Sequence, residues 1–224
     1  MKLALLMAFS SLFAVTHIVP SHGSVRSGLV EKMGELGFRA VYSLVSIVTL
    51  GGAIWIFAAN RGLGPLLWQS PGWLYPLIYI LVLLAFLLLA LMLANPSPAG
   101  MMPAAMEPRG VLRITRHPMN MGVASFSLAH LIANGALGDV FFFGSLFVVG
   151  FAGAYHMDQR KAREKGEAFS TFQEQTSVLP FAAIIRGKTK LELKEFSLLL
   201  VTIAVATFVV FIFIHQRLFG AAPY

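Results

Sequence analysis

Tyr75-Pro-Leu-Ile-Tyr-Ile-Leu-Val-Leu-Leu-Ala-Phe-Leu-Leu-Leu-Ala-Leu-Met-Leu-Ala94 is a run of twenty residues without one charged side chain. At about 1.5 Å of rise per residue a helix of this length spans about 30 Å, the thickness of a bilayer's hydrocarbon core. Five further apolar stretches flank it: Leu3–Val19, Ala40–Ala59, Pro118–Leu137, Val140–Tyr155 and Phe196–Ile214. The fourth and fifth of the six runs are separated only by Gly138 and Asp139, which predicts a helical hairpin turning there. The expected fold is therefore an all-α integral membrane protein, with about six transmembrane helices in one bundle and a single domain over residues 1–224.

Composition agrees with the pattern. Of 224 residues, 57% are apolar and 12% charged, against about 45–50% and about 25% in a soluble domain. Such a chain cannot cover itself with polar groups and needs lipid as its solvent. There is no cysteine, which excludes a disulfide framework, a thiolate-ligated metal or haem, and a cysteine nucleophile. The formal charge of +7 suits anionic headgroups and topology in a membrane chain, so no nucleic-acid partner is inferred.

Charge also orients the spans. With the N-terminus outside, fourteen Lys and Arg fall in inner loops and three (Lys2, Arg61 and Arg217) outside. That asymmetry predicts six spans with both termini outside. Trp55, Trp68, Trp73 and Tyr75 cluster about the second outer loop, as an interfacial belt would. Lys2 followed by Leu3–Val15 also admits a signal-peptide reading, although the small residues near Ala14 make a poor cleavage site, no clear Ala-x-Ala follows and the apolar run continues through Ile18 and Val19.

With cysteine absent, histidine is the main soft ligand, and an ionisable group inside a bilayer is a functional candidate by default. His17 lies near the inner end of the first span. His130 lies deep in the fourth, flanked by Ala129, Leu131 and Ile132, with no charged neighbour within a helical turn. A neutral imidazole there can ligate a metal or haem iron, or can simply bond a carbonyl in helix packing. His22, His156 and His215 read as packing histidines. His117 opens the fourth span in Arg113-Ile-Thr-Arg-His117-Pro118. Arg113 and Arg116, three apart, would share a helix face and could hold a propionate or phosphate. Positive-inside anchoring with a helix-opening proline explains the same residues.

After span five comes a charged helical extension from Asp158, then Thr176-Ser177-Val-Leu-Pro180-Phe181-Ala-Ala-Ile-Ile-Arg186-Gly187. This segment reads as an interfacial or re-entrant element, or as a solvated amphipathic loop.

Taken together, several stretches resemble the NnrU family of multi-pass membrane proteins, which includes the 15-cis-zeta-carotene isomerases. They are the His17 segment, Arg26 through Phe38-Arg39-Ala-Val-Tyr42-Ser-Leu-Val-Ser46, Leu67-Trp68-Gln69, Arg113–Pro118, Ala129-His130-Leu-Ile-Ala-Asn134-Gly135, Gly166-Glu-Ala-Phe169 and Thr176–Gly187. The ending Leu218–Pro223 is more similar to bacterial members, which are associated with denitrification gene clusters. The resemblance implies haem b, with His17 and His130 as axial ligands of its iron. Asn60 stands about where the isomerases carry a further histidine, and Ser127 where they carry a cysteine. Span limits place His17 and His130 about 10 Å apart in depth, a match that His17 and His117 would improve.

Three functions follow as expectations. One is a haem-b protein with cis–trans isomerase or redox chemistry on a lipophilic polyene or a small gaseous ligand, reduced iron acting as Lewis acid or electron donor. Another is a membrane methyltransferase, with Arg116 and His117 holding S-adenosylmethionine. The last is a non-enzymatic membrane accessory protein.

Overall fold

The computed structural model describes residues 1–100 and 104–220, so the last part of the Leu218–Pro223 ending lies outside the described residues. These residues form α1 (Lys2–Ile18), α2 (Gly23–Ala59), α3 (Tyr75–Leu91), α4 (Val111–Ile114), α5 (Pro118–Ala133), α6 (Leu137–Lys165), α7 (Glu167–Gln175), α8 (Ala182–Ile185) and α9 (Leu198–Phe219). Among the described residues there is no strand, only an isolated bridge between Leu66 and Ala136. The protein is all-α and of the membrane class. Among the described residues five elements are long and apolar enough to cross a bilayer: Lys2–Ser21, Gly23–Ala59, Gly72–Leu91, Leu137–Lys165 and Leu198–Phe219.

Two elements differ from their expected bounds for local reasons. α5 has 16 residues, about 24 Å of helix, and stops at Ala133 rather than Leu137. The expected turn at Gly138 and Asp139 falls instead at residues 134–136. Asp139 sits in the first turn of α6, where a carboxylate meets the helix's unpaired N–H groups. Gly135 is needed in that turn because a Cβ there would strike the Trp68 carbonyl. α2 begins well before Ala40. Its charged start is helical, interrupted at Gly34 with φ of 74°, and Glu35 accepts from Arg26 at 2.6 Å and from Arg39 at 2.8 Å.

Contacts divide the described residues into two compact units, one drawn from residues 1–78 and 127–156, the other from 79–100, 104–126 and 157–220. In the first, α1 packs along α2, with Leu6, Ser10 and Phe13 buried. Phe57 stacks on Phe142 at 4.3 Å and meets Phe143 edge-on at 5.3 Å. The loop after α2 is tied to the α5–α6 turn by Leu67 N–H to Gly135 O, Leu137 N–H to Pro65 O and Gly138 N–H to Leu63 O. In the second unit Phe86 of α3 meets Phe208 and Phe211 of α9. Phe169 and Phe172 of α7 are fully buried. Ser197 caps α9, its hydroxyl accepting from Leu200 N–H.

Candidate functional site

His17 occupies the last turn of α1, and its protonation pattern follows from its neighbours. The Ser46 hydroxyl donates its one proton to Tyr42 O at 2.8 Å. It must therefore accept from His17 Nδ1, 3.2 Å away. That leaves a lone pair on His17 Nε2, the tautomer a metal ligand requires. The Tyr42 hydroxyl donates to His17 O at 3.0 Å, and the Tyr42 and Phe13 rings flank the imidazole at 4.9 and 5.0 Å.

His130 stands elsewhere in the same unit. Its ring stacks on Phe143 at 4.7 Å, and Phe143 in turn meets Phe57. Along α2 the His17 partner Ser46 and the His130-side Phe57 are eleven residues apart, about 16 Å of helix. A second ruler agrees. His156 of α6 bonds Ser21, one turn beyond His17, and lies about 20 Å along the helix from Phe143. Both rulers separate the levels of His17 and His130 by about 15 Å. Two imidazoles on one iron need their nitrogens about 4 Å apart. His17 is prepared as a ligand, but the pair does not fit around a single haem iron in this arrangement.

The second unit gathers Arg113, Arg116 and His117. α4 ends at Ile114 and Thr115 is extended, with φ of −155° and ψ of 140°, so the two arginines do not share a helix face. Each turns to its own carboxylate. Arg113 donates from Nε and Nη2 to Glu195 at 2.7 and 2.8 Å, and from Nη1 to Thr189 at 3.0 Å. Glu195 also accepts from Gly110 N–H at 2.8 Å. The Arg113 hydrogen bonds first, and then that N–H, hold the Glu195 carboxyl at about 2. Arg116 donates to both oxygens of Asp158, at 2.6 to 3.0 Å, and to Thr176 O. His117 Nε2 lies 2.7 Å from Asp158 Oδ1, with the imidazole fully buried. The groups that would hold a propionate or S-adenosylmethionine are thus largely taken by Asp158 and Glu195. Neither carboxylate was singled out as a partner in the sequence. Asp158 opens a charged helix where pairing within the helix was the natural reading, and Glu195 is 82 residues from its partner.

The remaining histidines divide. His215 lies against Phe219 within α9. His22 and His156 meet, with ring centres 5.5 Å apart. Near the α5–α6 turn, Trp68, Pro71, Leu74, Leu131 and Ile132 line an open, mostly apolar groove of about 410 Å³. Trp68 Nε1–H donates to Ile132 O at its edge.

The family profile described as "NnrU protein" matches residues 5–223. The chain belongs to the NnrU family. Two relatives are chloroplastic 15-cis-zeta-carotene isomerases. That of Zea mays is 30% identical over 196 residues, covering 83% of this chain and 52% of the relative. That of Arabidopsis thaliana is 30% identical over 194 residues, covering 79% and 49%. The chain spans about half the length of these curated relatives. No solved structure matches this NnrU chain.

Proposed function

We propose that this NnrU protein is a membrane isomerase of conjugated polyenes, acting on a substrate of the 15-cis-zeta-carotene kind from within the bilayer. The observation that carries the reading is the 30% identity to 15-cis-zeta-carotene isomerases over most of the chain. The apolar groove beside Leu131 and Ile132, rimmed by the Trp68 indole, supports it as a seat for a lipophilic chain. Rotation about a conjugated double bond requires its double-bond character to be lowered for a moment. Because His17 and His130 do not fit one iron, no step of this proposal is routed through haem.

The test is complementation. Bacteria making 15-cis-zeta-carotene in darkness should, on expressing the chain, convert the 15-cis bond to trans, as resolved by chromatography. Substituting Leu131 and Ile132 by Trp should fill the groove and lower conversion while leaving the amount of membrane protein unchanged. An unchanged isomer ratio with the wild-type chain well expressed would sink the reading.

Both termini are proposed to face outward, on the fourteen-to-three partition of basic residues. The chain has no cysteine, so single cysteines report cleanly. Ser24→Cys should be shielded from an impermeant outer reagent and Gly62→Cys labelled. Labelling of both from the same face would overturn the orientation.

A further inference from the structure

We infer that His22 and His156 form a binding site for a divalent transition-metal ion of the zinc or copper type, with two imidazoles as its protein ligands. The two residues are 134 positions apart in sequence. They meet where the turn between α1 and α2 touches α6 at His156, within the first unit.

Hydrogen bonding prepares the donor atoms. The Ser21 hydroxyl donates its only proton to Ile18 O at 2.7 Å. Its oxygen must then accept from His156 Nδ1, 3.1 Å away. His156 is thereby fixed as the Nδ1–H tautomer, with the lone pair on Nε2. An outer acceptor that takes the ring's N–H and leaves the far nitrogen basic is the usual support of a metal-bound histidine, and here a serine oxygen fills that place. His22 carries a serine on the same nitrogen, its Nδ1 lying 3.3 Å from Ser24 Oγ, and when that hydroxyl accepts from Nδ1–H the lone pair falls on Nε2. In both rings the serine-bound nitrogen is Nδ1, which leaves Nε2 for a ligand.

Ring placement suits one shared ion. A metal about 2.1 Å from each Nε2 lies about 3.2 Å from each ring centre, and a tetrahedral angle then separates the centres by about 5.3 Å. The observed separation is 5.5 Å, with the ring planes 83° apart. Stacking would favour offset-parallel or edge-on rings over a wide range of distances, so the agreement adds to the tautomer argument without replacing it. Among the described residues no group of three or more His, Cys, Asp or Glu side chains is placed to hold a metal ion. The site therefore supplies two ligands and leaves the other positions to water or an anion. His22 is exposed and His156 half-buried, so an ion can reach the pair from solvent.

The experiment uses the full chain without a histidine tag, in nanodiscs, titrated with Cu2+ and read by electron paramagnetic resonance and its spin-echo modulation. One ion per chain with two equivalent imidazole nitrogens is expected. His22→Ala and His156→Ala should each leave a single imidazole and weaken binding at least about tenfold, and Ser21→Ala should weaken it about tenfold by freeing the His156 ring. His215→Ala should change nothing. His22 is exposed, so His22→Ala keeps the test decisive if His156→Ala fails to fold. A wild-type signal from one imidazole or none, or a two-imidazole signal that survives His22→Ala, would overturn the inference.

Discussion

The Arg113–His117 cluster of the second unit and the histidines of the first are held in opposite ways. In the second, Arg113, Arg116 and His117 are closed by carboxylates, Glu195 for the first and Asp158 for the other two. In the first, His17, His22 and His156 are each steadied by a serine hydroxyl on Nδ1, and for His17 and His156 the serine's own proton is already committed. A carboxylate satisfies a cation's charge and leaves little to offer a ligand. A hydroxyl orients an imidazole and, in the neutral ring, leaves the far nitrogen with its lone pair. Motifs rich in charge therefore serve as structural clamps here, while the chemically available groups lie among the quieter histidine–serine pairs.

The largest effect should come from opening the tighter clamp. Among the described residues Asp158 alone accepts from the Arg116 Nε and Nη2 groups and meets His117 Nε2, and all three side chains are at most 12% exposed. Asp158→Ala would strand buried positive charge and should cost about 3–5 kcal/mol, read as a lower unfolding temperature in detergent. Asp158→Asn should recover part of it through hydrogen bonding alone. A fully stable Asp158→Ala protein would break the distinction between the units.

The Arg113–Glu195 clamp should give a smaller, pH-dependent effect. Glu195→Gln should lower stability at neutral pH by about 1.5–3 kcal/mol, the range for hydrogen bonds to a charged group. The folded carboxyl lies at about 2 and its ordinary value at 4.5. Its contribution is therefore complete above about pH 4.5 and is lost as pH falls towards about 2. The gap between wild type and Glu195→Gln should close over that window. A gap that persists unchanged at pH 2 would show that the substitution acts through packing rather than charge.

Much of the fold was legible because apolar run length is a direct physical readout of bilayer thickness. Tyr75–Ala94 could hardly be anything but a span. What escaped was decided by contacts between distant segments. Nothing local distinguishes the Gly138–Asp139 pair as a turn from the same pair opening a helix. The spacing of Arg113 and Arg116 suggested one helix face because the break at Thr115 is imposed from outside, where its hydroxyl bonds Val178 O and Arg116 N–H bonds Ser177 O. His22 and His156 each looked like a lone packing histidine, and only the fold brings them together. The depth mismatch of His17 and His130 was visible in outline, because counting residues from span ends is itself a ruler.

That mismatch supplies the smallest expected effect, which is none. Residues well beyond about 10 Å apart with no shared partner combine additively within about 0.5 kcal/mol. His17 is held by Ser46 and Tyr42, and His130 stacks on Phe143, about 15 Å away along α2. In a double-mutant cycle on stability, His17→Ala and His130→Ala should show no coupling beyond that limit. Repeating the cycle after adding haemin makes it diagnostic. An iron shared by the two imidazoles would create a coupling absent from the apoprotein, together with a low-spin spectrum lost in either variant. The levels of the two rings predict that the cycle stays additive with haemin present. If coupling appears only with haemin, the first unit must close by many ångströms to let both histidines reach the iron, and His17 and His130 would then be the halves of one haem site.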